Sequence, residues 1–518
     1  MPHPTPSWAK GAAYLSLAAL AAKGLSALYK IPYQNMTGDT GFYVYQQLYP
    51  LYGAVLVLGT YGFPLVIAKA LIDNGSRDGI RSLLTFYTAI MIVLFGLLGG
   101  AVTLAAPSLA ALMGDPALTE PLRWMGLPFL LIPFAAAARG YFQHDSNTLP
   151  TAVSQVIEQF IRVIVILLAA WAGMQLGSVY TAGASAGIGA FAGGAAGLAS
   201  LWFYVRREES ICPDFRLPPA WPGLMRELLV KGLFVSASAM LLILFQLIDA
   251  FTIVQRLPEG LQAAQEKGVY DRSWPLIQFG AVVITVFSYA ALPAVAKAWP
   301  LDRRRASEEA GSALKLCTVF GAAAALGMAA VMPLLNVSMF TDASGTAVLQ
   351  VMALSILPAA VFMTAAALLH AADHAGTAAA LLLGALAGKA VLNVLLVPVA
   401  GTMGAAAATV LAAVLLAAAS VRSLIRIGVL RPGPGTWLVK TGAALLIMTA
   451  AAWFAASGPI GSRAGASVQL ALVSGGGAVL YIGIIWRLSV FTVREWEMLP
   501  KLGTRLPHRR QSEGGNHV

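Results

Sequence analysis

The 518-residue chain is short of what a water-facing surface needs: 11% of its residues are charged and 58% are hydrophobic. Globular domains carry about 25% charged residues, so this composition excludes a soluble protein. It also excludes a nucleic-acid-binding protein, although the net charge is +11. Basic balance in so apolar a chain has another cause, the Lys/Arg enrichment of cytoplasmic loops in membrane proteins. Cysteine is nearly absent, and Cys212 and Cys317 are too few for a disulfide framework or a zinc site. No polar segment exceeds about 25 residues, which leaves no room for a soluble catalytic domain. There is no Walker A motif: Gly384-Ala-Leu-Ala-Gly388-Lys389-Ala390 lacks the spacing and the final Ser/Thr. His370 and His374 stand at i and i+4, but they fall at a small polar turn and are read as that, not as a metal edge. No enzymatic activity, metal or cofactor is expected.

What is present is a series of apolar windows about 20 residues long, each able to span a bilayer. Fourteen are read: 11–30, 42–68, 82–106, 121–138, 149–172, 179–204, 229–254, 274–296, 312–334, 346–369, 376–397, 402–421, 437–457 and 466–486. The first has the outline of a signal peptide, with Lys10, an apolar run and Ala19-Leu20-Ala21, but the repeat described next requires it as a helix. With the N-terminus inside, 25 of the 34 Lys and Arg fall in inner loops and the tail, and six fall in outer loops. The expectation is therefore a multi-pass protein of the bacterial plasma membrane with both termini cytoplasmic.

An internal repeat divides the chain. Tyr61-Gly-Phe-Pro-Leu-Val-Ile-Ala-Lys-Ala70 resembles Tyr289-Ala-Ala-Leu-Pro-Ala-Val-Ala-Lys-Ala298, at an offset of 228 residues. Arg162 and Lys389 lie 227 apart, each within a span. Two pairs at nearly one offset suggest two six-helix halves of parallel topology. The fold class expected is an all-α polytopic bundle of about fourteen helices. It comprises an N-terminal lobe (1–204), a cytoplasmic linker (205–228), a C-terminal lobe (229–421), two extra helices (437–486) and a basic tail (487–518).

Charges within spans are the candidate binding residues, because hydrocarbon tolerates them only beside a partner or a watery cavity. They are Lys23 and Lys30 in the first span, Glu158 and Arg162 in the fifth, Asp249 in the seventh and Lys389 in the eleventh. Glu158 and Arg162, at i and i+4, share a helix face and can pair. Lys30 is read as snorkelling to the interface. Lys23, Arg162 and Lys389 around one cavity would attract an anion, and Arg and Lys both suit phosphate oxygens. Asp249 would hold a coupling cation, Na+ or H+, or pair with one of these bases; the sequence leaves both open.

Gly38-Asp-Thr-Gly-Phe-Tyr-Val-Tyr-Gln-Gln47, the Tyr61–Ala70 segment, Arg139-Gly-Tyr-Phe-Gln143 and Pro150-Thr-Ala-Val-Ser-Gln-Val-Ile-Glu-Gln159 carry a family resemblance. They resemble the polysaccharide-transporter group of the multidrug/oligosaccharidyl-lipid/polysaccharide (MOP) exporter superfamily, nearest its stage V sporulation protein B-like and lipid II flippase-like branch. The resemblance implies a flippase for undecaprenyl-diphosphate-linked oligosaccharides. A cationic cavity would hold the diphosphate, and the last two helices would line a groove for the lipid tail. It implies that Lys23 matches a basic position of the first helix. The partners expected are the lipid-linked sugar and the bilayer, with the protein a monomer. The Ala-rich second half matches the family weakly. A small-solute or drug transporter is the alternative. A major facilitator fits poorly, because the loop Asp73-Asn-Gly-Ser-Arg-Asp-Gly-Ile-Arg81 lacks that group's motif. A membrane-bound sugar polymerase would have only the 255–273 loop for its catalytic groups.

Overall fold

The computed structural model describes residues 24–498 apart from 27, 75–76, 209–213, 219–220, 258–261, 290–291, 432–434 and 460. Every regular element among the described residues is helical. Among the described residues ten helices are long and apolar enough to cross a membrane, and the bent pair Trp221–Ser236 and Leu241–Thr252, taken as one span, makes an eleventh.

Two of the ten are hairpins of two spans each. Gly24–Asp73 breaks at Gly38 (φ 69°) and Ala375–Ile427 breaks at Gly401 (φ 57°), in the left-handed region that glycine enters without a Cβ clash. The chain folds back at both points. Tyr33 and Tyr45 have ring centroids 4.8 Å apart, whereas twelve residues of straight helix would separate them by about 18 Å. Lys389 donates to Thr409 Oγ1 at 2.6 Å across the second hairpin. Ser273–Tyr289, at 17 residues, supplies one further short span. Counted so, the described residues hold segments of fourteen spans, the first only from Gly24 onward.

The windows err at their edges, for physical reasons. The fourth is not one straight helix but the pieces Thr119–Trp124, Leu127–Leu131 and Ile132–His144. Pro121, Pro128 and Pro133 punctuate it, and proline removes a helix donor and clashes with the preceding turn. The seventh span begins at Trp221, inside the segment read as linker, and bends by 87° before Leu241.

Buried apolar side chains fall into separate clusters. Leu71, Tyr87, Phe95 and Phe142 anchor one in the first half, and Phe245, Trp274, Phe362 and Leu416 the largest in the second. In the second half alanine does much of the packing, with Ala365, Ala366, Ala405, Ala406 and Ala412 buried. Lipid tails are as apolar as leucine, so helices in a bilayer associate through close backbone approach, which small residues permit. The last long helices, Thr436–Ala456 and Arg463–Arg487, pack on Arg303–Phe340 through Val319, Met448 and Tyr481. Their outer faces present Leu446, Phe454 and Val479 at 74%, 85% and 74% exposure, surfaces suited to lipid and not to water.

Candidate functional site: a cationic cavity beside an apolar groove

The helix Leu149–Gln175 carries a polar stripe, Ser154, Gln155, Glu158, Gln159 and Arg162, at the three- and four-residue spacing of one face. That face borders a cavity of about 190 Å³ between the halves. Tyr49, Thr60, Gln155, Glu158 and Arg162 line one side, and Leu242, Ile243, Gln278, Phe279 and Met363 the other. Ser185–Val205 packs tightly behind the stripe. A Cβ at Gly193 would lie 2.6 Å from the Glu158 carbonyl oxygen and 2.7 Å from the Arg162 Cβ.

Glu158 is held by two guanidiniums. Arg139 donates to its Oε2 at 2.6 Å, and Arg162 donates to its Oε1. Arg162 also donates to Gln159 Oε1 at 2.8 Å and the Tyr52 hydroxyl at 2.6 Å, and Arg139 donates to Ser154 at 3.3 Å. All three ions are buried. One carboxylate against two arginines leaves the cluster with a surplus positive charge. The Arg162 Nε–H has no hydrogen-bond partner among the described residues, and the field at the cavity wall stays positive.

Arg139 is missing from the in-span charges read from the sequence. Arg139 lies on Ile132–His144, and its guanidinium meets Glu158 on the next helix, a contact no window average detects. The signal available was its place in the Arg139–Gln143 segment. Lys30 is a correction. It is fully buried, not snorkelling, with its Nζ 3.8 Å from the centroid of the cavity residue Tyr49 and no hydrogen-bond partner among the described residues. Lys23 lies outside the described residues.

Asp249 and Lys389 pair with each other, at 2.7 Å and with both side chains fully enclosed. Asn393 donates to Asp249 Oδ1 at 2.8 Å, and Tyr270 donates to Oδ2 at 2.8 Å. Lys389 thus sits inside the second half, away from the stripe that carries Arg162, and Asp249 is already neutralised in this conformation. The structure brings Arg162 together with Glu158, and Lys389 with Asp249, but does not set the two bases face to face.

A third ionic cluster went unread in the sequence because its members sit in turns. Arg272 is fully buried; it donates to both oxygens of Asp39 at 2.8 and 2.7 Å and both of Asp342 at 2.9 Å. These acids, with Asp342 next to the left-handed Thr341, hold the guanidinium charged; its own presence depresses the Asp342 carboxyl to about 2. Lys267 pairs with Asp271 at 2.5 Å one turn away. Asp39 belongs to the first half, and Arg272 and Asp342 to the second. This clamp therefore ties the halves together on the face that the basic-residue pattern assigns to the outside.

An apolar groove of about 380 Å³ adjoins the cavity. Phe279 and Val283 form part of both walls, and Phe320, Met328, Met448 and Tyr481 continue the groove between Arg303–Phe340 and the last two long helices.

These features define a polytopic membrane protein whose halves enclose a cationic cavity that opens along an apolar groove. The family model for polysaccharide biosynthesis proteins matches residues 8–299, and the chain belongs to that family. It is 35% identical to the uncharacterized membrane protein YabM of Bacillus subtilis, over 98% of both chains. It is 28% identical to the lipid II flippase MurJ of the same organism over 39% of each chain. It is 25% identical to that organism's stage V sporulation protein B, over 39% of this chain and 40% of the other. Among solved structures, a lipid II flippase MurJ in an inward closed conformation superposes with a TM-score of 0.71 at 13% identity, covering 92% of this chain and 99% of the other. An inward-facing multidrug transporter of the MOP superfamily gives 0.65 at 13% identity, over 80% and 98%. The fold is the one shared by these transporters.

Proposed function

We propose that this protein is a flippase that carries undecaprenyl-diphosphate-linked oligosaccharide across the bacterial plasma membrane by alternating access. The observation that carries the reading is the continuity of two unlike surfaces. A wall with surplus positive charge at Arg162 meets an apolar groove at Phe279 and Val283. A ligand filling both must be anionic at one end and hydrocarbon at the other. Diphosphate oxygens suit the guanidinium of Arg162, and sugars suit the amides Gln155 and Gln159 and the face of Tyr49. The names of the partial relatives, a lipid II flippase among them, point to the same substrate class.

The Arg272 clamp closes the outer side in this conformation, so rocking of one half against the other has to break its bonds to Asp39. Both termini lie in the cytoplasm, and one chain suffices. A multidrug exporter is the alternative, favoured by the fold alone; a wall that attracts cationic drugs would carry surplus negative charge instead.

The test is ligand competition on the purified protein. Undecaprenyl-diphosphate sugar should bind, inorganic diphosphate and undecaprenol should each compete at least tenfold more weakly, and Arg162→Gln should remove the preference for the diphosphate over undecaprenol. Equal competition by undecaprenol would show that the head group is not read.

A further inference from the structure

The groove lining ends at Phe320 and Ile482. Its lining runs along Arg303–Phe340 from Leu335 down to Phe320, and along Arg463–Arg487 from Val473 to Ile482. Next along that line lies residue 488 onward. The chain turns at Ser489 (φ 50°), buries Val490 and Phe491, and closes as the short helix Val493–Glu497. Thr492 and Glu495 form a reciprocal capping box that fixes this turn. The Phe491 ring stacks on Phe320 at 5.7 Å, and Trp496 meets Phe491 edge-on at 5.3 Å. Two ion pairs pin the segment to the base of Arg303–Phe340, Lys315 with Glu495 at 2.7 Å and Arg494 with Glu309.

We propose that residues 488–498 form a strap that closes the inner end of the groove and swings off Phe320 to admit or release a long hydrocarbon chain. Fifteen helical residues from Phe320 to Leu335 give a groove about 22 Å long. A longer tail runs past Phe320, the groove residue on which Phe491 stacks. The strap is tethered at one end and packed along the other: its backbone bonds run to the end of Arg463–Arg487, through Val490 N–H to the Ile485 carbonyl at 3.0 Å, while Phe491, Trp496 and the two ion pairs hold it against Arg303–Phe340 through side chains. Lys315 and Glu495 are nearly enclosed, at 14% and 9% side-chain exposure, so their pairing carries more weight than that of a surface bridge.

The inference rests on the groove being the site of the lipid tail, and the experiment separates the two. In a background of Cys212→Ser and Cys317→Ala, Lys315→Cys and Glu495→Cys are bridged with a short bis-methanethiosulfonate, which dithiothreitol removes. Binding of undecaprenyl diphosphate and of farnesyl diphosphate, whose tail fits within the groove, is measured in both states. Bridging should weaken undecaprenyl diphosphate at least tenfold, reversibly, and leave farnesyl diphosphate unchanged. Phe491→Ala, which opens the end without a cross-link, should speed association of the long probe severalfold. Unchanged undecaprenyl diphosphate binding in the bridged protein, together with an unchanged association rate in Phe491→Ala, overturns the strap. Failure of the unbridged protein to bind undecaprenyl diphosphate sinks the tail site itself.

Discussion

Removing Arg162 and removing Glu158 should have opposite consequences, because Glu158 has two partners and Arg162 is one of them. In Arg162→Gln the carboxylate keeps Arg139 at 2.6 Å, so no buried ion loses its counter-charge. The cost is that of the charged bond to Glu158, about 1.5–3 kcal/mol, plus the bonds to Gln159 and Tyr52, less what a glutamine amide recovers from these partners. In Glu158→Gln two enclosed guanidiniums face each other with no anion, and breaking a buried pair this way costs about 3–5 kcal/mol. The double variant removes one of these guanidiniums but still leaves Arg139 without an anion. Thermal unfolding in detergent should therefore rank Arg162→Gln close to wild type, with Glu158→Gln and the double variant well below it. Binding of undecaprenyl-diphosphate sugar should fall at least tenfold in Arg162→Gln despite its normal stability. If Arg162→Gln unfolds as readily as Glu158→Gln, Arg162 is a structural partner. If it binds normally, the surplus charge is not what the ligand meets.

Arg272→Gln leaves Asp39 and Asp342 without their cation and should shift the protein toward the outward-open state; a cysteine at Gln278 on the cavity wall should then label faster from outside, and an unchanged rate would mean the clamp does not hold that face closed. The Asp271 carboxyl is pushed up from 3.8 to about 6, chiefly by burial, with Lys267 opposing. Its folded value lies above the unfolded one, so its stabilising contribution is complete below about 3.8 and fades as the pH rises through 6. Wild type should thus lose stability relative to Asp271→Asn between pH 4 and about 7, and parallel pH profiles would refute this. Single cysteines at Ser178 and Ser462 should label in intact cells, and one at Ser512 only after permeabilisation; labelling at Ser512 in intact cells would reject the inward termini.

The span pattern was legible because each span needs a long apolar run, and hydrocarbon tolerates nothing else. Both hairpin turns fell between adjacent windows for the same reason. The charges were only half legible. A pair on one helix, Glu158 with Arg162, follows from the four-residue spacing, whereas Arg139 joins it from the preceding helix through tertiary packing. Asp249 and Lys389 are 140 residues apart, and their pairing depends on how the seventh span packs against the second hairpin. Arg272 was counted as an outer-loop base, since a buried turn and a solvated turn look the same in sequence. Lys30, close to a span end, had the position of a snorkelling lysine; what keeps it down is the hairpin at Gly38, which folds Tyr49 over it.

Arg162 and Lys389, 227 residues apart, meet opposite fates, and the contrast says how the two halves divide the work. Around Lys389 the accounts balance: one ammonium pairs with one carboxylate, and Asn393 and Tyr270 donate to that carboxylate. Such a cluster has nothing left to offer a ligand, and it pins the seventh span to the second hairpin. Around Arg162 the charges do not balance, and the cluster lies on a cavity wall. An unbalanced buried charge is costly unless something neutralises it part of the time. The first half thus carries the charge that an anion would complete. The second half supplies a rigid body, the groove wall at Phe279 and Val283, and the outer clamp at Arg272. On this division a ligand draws the halves together at the cavity while the clamp holds them at the outer face, so the clamp has to yield before the ligand can leave outward.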